Sequence, residues 1–140
     1  MKYVIVYWTR FGNNKRIVDY LAKTLQGDVQ VIKADEADPS KIPEADFYIF
    51  SSAAEKFTVQ KDMRQYMKGL ENMDQKKYGI INTHGSPKKN WLGKMEKILA
   101  KKNMVKVAET DFAIVGGMNE QSRLEDGWEM KLDTFMASIK

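Results

Sequence analysis

The sequence contains no cysteine and only one histidine, His84. Disulfides, thiolate-bound metals and iron–sulfur clusters are therefore excluded, and one imidazole cannot build a multi-histidine metal site. Any redox chemistry must come from a bound organic cofactor. No stretch approaches the roughly 18 uninterrupted apolar residues of a membrane span. The chain enters strand-like sequence at once, without a signal-peptide pattern, so the cytoplasm is the expected address. A strong excess of one charge is also missing: 23 basic residues face 19 acidic ones, a net charge of +4. That balance is only mildly basic and gives no reason to expect nucleic acid as a partner. The lysines crowded between Lys88 and Lys106 read as a solvated helix face.

What is present is ordinary globular chemistry, with 43% hydrophobic and 30% charged residues. A length of 140 residues supports one sizeable core but not two, so residues 1–140 are expected to form a single, monomeric domain. Lys2–Trp8 is a β-branched and aromatic run, the pattern of a strand buried on both faces. Ile17, Val18, Leu21 and Leu25 then recur at helical spacing over Asn13–Leu25, with Gly27 where a helix would stop. Val29–Lys33 predicts a second strand and Asp46–Ser51 a third. Between them Asp35–Pro43 is polar, holds two prolines, and allows only a short or irregular helix.

Val59, Met63, Tyr66, Met67 and Leu70 form a second helical stripe, and Lys77–Thr83 a fourth strand. Trp91, Leu92, Met95, Ile98 and Leu99 mark a third helix. Val105–Val115 predicts a fifth strand, interrupted near Glu109–Asp111. Leu124, Trp128, Leu132, Phe135 and Ile139 mark a closing helix. Strands alternating with helices imply right-handed crossovers and a doubly wound parallel α/β sheet with helices on both faces.

In such a sheet, ligands bind beyond the carboxyl ends of the strands. Three loops qualify: Thr9–Asn14, Ser51–Thr58 and Thr83–Asn90. In the first, Thr9, Gly12, Asn13 and Asn14 combine a hydroxyl, a permissive backbone and free amides at a helix N-terminus. That arrangement suits a phosphate, with Arg10, Lys15 and Arg16 adding positive charge. The same residues also suit a plain strand-to-helix turn with Asn13 as N-cap.

The run Val6-Tyr7-Trp8-Thr9-Arg10-Phe11-Gly12-Asn13-Asn14 followed by Lys15-Arg16-Ile17 resembles the phosphate-binding signature of flavodoxins: hydroxyl, any residue, hydroxyl or aromatic, Gly, Asn, hydroxyl. Here Asn14 stands for the usual final threonine and Phe11 takes the middle place, so two hydroxyl donors are missing. The strand ending in Ser51-Ser52 and the segment Asn82-Thr83-His84-Gly85-Ser86 occupy the places of the two ring-binding loops.

The resemblance implies a five-stranded flavodoxin-like sheet of order 2-1-3-4-5. It also implies noncovalent FMN and electron transfer between redox protein partners. On this reading Thr9, Arg10, Phe11, Gly12, Asn13 and Asn14 hold the phosphate, largely through the backbone. Ser51, Ser52, Ala53, Ala54, Glu55, Thr83, His84, Gly85 and Ser86 surround the ring. No side chain is a nucleophile or general base, because the flavin carries the redox step.

The middle segment, Ser51 to Phe57, lacks the glycine-rich, aromatic-tipped form common in flavodoxins. Phe57, Trp91 and Trp8 are each open to a stacking role or a core role. His84 is open to a hydrogen-bonded structural role or to stabilising a reduced, anionic flavin. Lys56, Lys61, Arg64, Lys88 and Lys89 near the inferred ring loops favour that anion, so the second reduction is expected at a higher potential than usual. A phosphoacceptor receiver domain needs carboxylates where this chain has Thr9-Arg10 and Ser51-Ser52. A nicotinamide-binding fold needs G-x-G-x-x-G where only Gly12 is present. Two alternatives stay open: an interaction module that binds flavin weakly or not at all, and a flavin-dependent oxidoreductase acting on a quinone or porphyrinogen.

Overall fold

A computed structural model describes residues 1–55, 58–85, 91–117 and 119–139. Strand β1 (Lys2–Tyr7) lies near the centre of the sheet, buried from Tyr3 onward, as its unbroken apolar run requires. Helix α1 (Asn13–Thr24) follows, then β2 (Asp28–Lys33) and a single 3₁₀ turn at Pro39–Lys41. Asp38 opens that turn by accepting from the Ser40 N–H, so the polar connection is as short and irregular as its composition predicts.

The remaining elements are β3 (Phe47–Glu55), β4 (Thr58–Val59), α2 (Lys61–Lys68), β5 (Lys77–His84), α3 (Trp91–Ala100), β6 (Val105–Val115), β7 (Arg123–Leu124) and α4 (Trp128–Ser138). The sheet order is β2-β1-β3-β5-β6-β7, with β4 paired to β3. The five long strands are parallel and take the expected order 2-1-3-4-5. Two short antiparallel additions, β4 on β3 and β7 on β6, raise the strand count above five.

Those additions correct several expectations. The third strand does not stop at Ser51: Ser51, Ser52 and Ala53 pair with Ile81, Asn82 and Thr83 of β5, and Ala54 and Glu55 pair with Val59 and Thr58. The expected Ser51–Thr58 loop is thus mostly strand, because its backbone groups find ladder partners on both sides. Val59 belongs to that hairpin and Leu124 to β7, so neither is helical. Strand β6 is continuous through Glu109–Asp111, and its irregularity falls earlier. Tyr78 faces Lys106 while Gly79 faces Ala108, which leaves Val107 bulged.

Alternation along the strands fills two cores. Val4, Val6, Tyr48, Phe50, Tyr78 and Ile80 pack with Met63 and Met67 of α2 and with Met95 and Leu99 of α3. On the other face Ile5, Phe47, Ile49, Ile81 and Phe112 pack with Ile17 and Leu21 of α1 and with Leu132 and Phe135 of α4. Gly79 is required by that second core, because a Cβ there would stand 2.6 Å from Phe135 Cζ.

Gly79→Val is expected to destabilise the protein by about 1–3 kcal/mol through overpacking. Phe135→Leu in the same chain should recover part of that loss, read as non-additivity in urea unfolding. Burial pushes the Tyr66 and Tyr78 phenols up to about 12. A folded pKa above the unfolded value of 10.0 gives stability that is complete below pH 10 and is lost as pH rises toward 12. The Tyr66 hydroxyl is buried without a partner among the described residues. Tyr66→Phe should therefore leave neutral-pH stability equal or higher and shift alkaline unfolding, followed by circular dichroism, upward in pH.

Candidate functional site

The carboxyl ends of β1, β3 and β5 lie side by side, and the Thr9–Asn14 loop closes over them. The Trp8 N–H donates to the Ser51 carbonyl at 3.1 Å, which fixes where the chain leaves the sheet. Thr9 Oγ1 then accepts the Gly12 N–H at 3.0 Å, a tight local turn. Gly12 takes the N-cap position of α1 with φ 91° and ψ 0°, a left-handed conformation costly for other residues. A Cβ at Gly12 would meet nothing within 4 Å, so the backbone conformation, not crowding, is what favours glycine there.

Asn13 is not the N-cap; it is the first helical residue, and no side chain caps α1. Both asparagines turn inward. Asn13 Nδ2 donates to Ser122 Oγ at 3.0 Å, and its Oδ1 accepts from Arg16 at 2.6 Å. Asn14, 2% exposed, donates from Nδ2 to Thr83 Oγ1 at 3.1 Å and accepts from Ser51 Oγ at 2.7 Å. One amide side chain thereby joins the start of α1 to the ends of β3 and β5.

With no side-chain cap at Gly12, the first turn of α1 carries the unsatisfied N–H groups of any helix start. Phe11 is half-buried and Arg10 exposed, with the Arg10 guanidinium carbon 5.9 Å from the Trp8 ring centroid. Trp8 also packs in the core beneath α2 and α3. A cavity of about 20 Å³, room for roughly one water, lies behind the loop against Trp8, Thr9, Phe11, Asn14, Ala53 and Thr83. A wider open groove of about 730 Å³ lies at the opposite, amino end of the sheet near Met1, Asp46 and Lys76, away from this loop.

The ring-side candidates are strand residues rather than loop residues. Ser51 and Ser52 are fully buried, Ala53 is nearly so, and Ala54 and Glu55 lie in the β3–β4 hairpin. Thr83 and His84 end β5, and Gly85 follows, half-buried. Ser86, Phe57, Lys56, Lys88 and Lys89 lie outside the described residues. Trp91 begins α3 and is 3% exposed.

His84 is paired: its Nδ1 stands 3.0 Å from the Asp111 carboxylate, which also accepts from Asn82 Nδ2 at 3.0 Å. Behind it Lys131 bonds both Glu125 and the Asp111 carbonyl. Burial opposes ionisation of Glu125, yet Lys131 and the Ala113 N–H hold its carboxyl below the ordinary range. Ser52 and Asn82 are neighbours across β3 and β5. Ser52 Oγ and Asn82 Oδ1 are buried without partners among the described residues.

Sequence reasoning missed Asp111 and Ser122. Asp111 lay within an expected break in the fifth strand; a carboxylate directly before the apolar run Phe112-Ala113-Ile114-Val115 was the available signal. Ser122 carried none, since only the fold brings it to Asn13 across 109 positions.

Among known structures, the chain is similar to the flavodoxin of Streptococcus pneumoniae TIGR4, with 18% identity over 99% of this chain and 97% of that one, at a TM-score of 0.75. Oxidised flavodoxin 2 of Bacillus cereus gives 16% identity, 99% and 97% coverage, and a TM-score of 0.77. Rubredoxin oxygen:oxidoreductase of Desulfovibrio gigas matches over 99% of this chain but 35% of its own, with 18% identity and a TM-score of 0.74. No curated protein sequence matches. The structural likenesses, all below 20% identity, speak for the fold. The model of the flavodoxin domain matches residues 4–138, nearly the whole sequence, and the chain belongs to the flavodoxin domain family.

Proposed function

We propose that this chain is a single-domain electron carrier that holds FMN noncovalently, with its phosphate at the Thr9–Asn14 loop. The observation that carries the reading is the start of α1: a helix N-terminus with no side-chain cap, entered through a left-handed Gly12 whose outer side is unobstructed within 4 Å of its Cβ position. Backbone N–H groups and the helix dipole there favour a dianionic phosphate. Thr9 Oγ1 already accepts from Gly12, so its own proton is available to a phosphate oxygen. The cavity behind the loop is too small for a phosphate, so the group belongs at its mouth.

Asn13 and Asn14 contribute backbone rather than side-chain donors, since their amides are engaged inside. The ring belongs beyond the ends of β3 and β5, bordered by Ala53, Ala54, Glu55, Thr83, His84, Gly85 and Ser86. The Ser52 and Asn82 oxygens, without partners among the described residues, belong to the same two strands. Bound flavin supplies the acceptance and release of electrons, and the protein sets its position and surroundings. Redox proteins of the cytoplasm are the intended partners.

Titration of apo-protein with FMN, followed by fluorescence quenching, should show saturable binding that riboflavin, lacking the phosphate, does not match. No binding at tens of micromolar, about 6 kcal/mol of affinity, would instead favour a flavin-free interaction module. Steady turnover of a quinone or porphyrinogen by the loaded protein would point to an oxidoreductase.

Thr9→Val should weaken FMN about tenfold or more and leave riboflavin unchanged, because it removes one donor to a charged acceptor. Asn14→Ala should act mainly on folding. It leaves the Ser51 hydroxyl without the acceptor it has in Asn14 and the Thr83 hydroxyl with only its long bond to the Ser52 carbonyl, at a cost of about 1–3 kcal/mol in chemical denaturation. With Lys61 and Arg64 beside the ring end, the second reduction step should come at a higher potential than is usual for flavodoxins. A very negative second step in a redox titration would contradict that.

A further inference from the structure

Helices α2 and α3 cover the same face of the sheet, and the charged residues among their exposed positions are all lysines. On α2 the exposed positions are Lys61, Gln65 and Lys68, spaced i, i+4, i+7. On α3 they include Lys94 and Lys97, continued by Lys101 in the turn that follows, at i, i+3, i+7. These spacings place each set on one side of its helix, opposite the buried Met63, Tyr66 and Met67 and the buried Trp91, Met95 and Leu99.

The acidic residues of the two helices do not offset this face. Asp62 is half-buried and accepts from Gln60, and Glu96 is half-buried and paired with Lys106. The opposite layer differs: α1 and α4 expose Asp19, Glu129 and Asp133 among their lysines, and Lys15 and Lys131 are paired with carboxylates. The basic excess of the chain is thus concentrated on one side.

Helix stability accounts for only part of it: Lys68 and Lys97 stand in last turns, where the helix dipole favours cations. Lys61 and Lys94 stand in first turns, where the helix dipole favours anions, and α3 has no acidic residue there. Because α2 and α3 run back from the carboxyl ends of the strands, those same two lysines stand at the end where the flavin ring is placed. The stripe runs from that rim down the molecule.

We propose that the outer face of α2 and α3 is the docking surface for an acidic redox protein; the redox character of the partner rests on the electron-carrier reading above. The face has no exposed large apolar residue to enter a lipid interface. The exposed large apolar side chains among the described residues are Met1, Val31, Val105, Val107, Val115 and Met130, all elsewhere. Nor, among the described residues, does it expose an aromatic platform for bases, since Tyr66 and Trp91 are buried. Charge without apolar anchors gives fast, weak, salt-sensitive association, which suits partners that meet, exchange an electron and part.

The test is to titrate isotope-labelled protein at low ionic strength with an acidic plant-type ferredoxin, following amide shifts. Parallel titrations use duplex DNA and phosphatidylserine vesicles. Shifts should cluster on residues 61–68 and 94–101 and vanish at about 0.5 M salt. Lys68→Glu/Lys97→Glu/Lys101→Glu should weaken binding about tenfold or more, whereas Lys23→Glu at the far end of α1 should change it by less than about twofold. Amide shifts confined to the neighbourhood of each substitution, with FMN affinity unchanged in both variants, separate docking from folding and from cofactor binding.

Absence of salt-sensitive ferredoxin binding, shifts centred on α1 and α4, equal losses in both variants, or tighter binding of DNA or vesicles than of ferredoxin would each overturn the proposal. Ferredoxin docking on this face by a protein that fails to bind FMN would overturn the cofactor reading and leave the surface assignment standing.

Discussion

The buried amide of Asn14 holds the upper end of the molecule together. Its two polar ends join a hydroxyl from β3 and a hydroxyl from β5, while its backbone starts α1. An interior hydrogen bond contributes modestly when made and costs more when one partner is removed. This junction therefore fixes the relative height of three elements by penalty as much as by attraction. The loop whose amides are offered to a phosphate stands where it does because Asn14 is spent inside the protein. The replacement of a hydroxyl by an amide at that position exchanges a possible ligand donor for a longer structural tie.

Beneath the junction lies a parallel sheet covered on both sides, which demands apolar residues on both strand faces and explains the unbroken hydrophobic runs of β1 and β5. Buried polar residues gather toward the carboxyl ends of the central strands, Ser51 and Ser52 in β3 and Asn82 and Thr83 in β5, with Asp111 of β6 beside Asn82. There the helices no longer cover the strands completely and side chains can bond one another. His84 belongs to this polar edge, tied to Asp111, and so the one imidazole of the chain is oriented by β6 as well as by its own strand.

Much of the architecture was legible from spacing alone. The five long strands, the four helices and the sparse structure of Asp35–Pro43 follow from apolar period and turn chemistry, which act over a few residues. The errors have a common origin. Ser51–Glu55 was read as loop, Val59 and Leu124 as helix, and Glu109–Asp111 as a break. In each case the outcome depends on a backbone ladder partner supplied by another segment, which no local pattern encodes. Trp8 likewise serves both the core and the loop, a double role that periodicity cannot separate.

The candidate site divides in the same way. The order hydroxyl, two residues, glycine and asparagine before a helical stripe marked the Thr9–Asn14 loop, because a left-handed glycine and an N-terminal turn are local properties of the chain. The sequence alone determined the layered fold class, the exclusion of thiol and multi-histidine chemistry, and the position of that loop. Only the tertiary structure decided that Asn13 and Asn14 face inward, that Asp111 meets His84, and that the lysines of α2 and α3 share a face. Those outcomes join residues tens of positions apart, and distance along the chain carries no information about distance in space until the sheet is assembled.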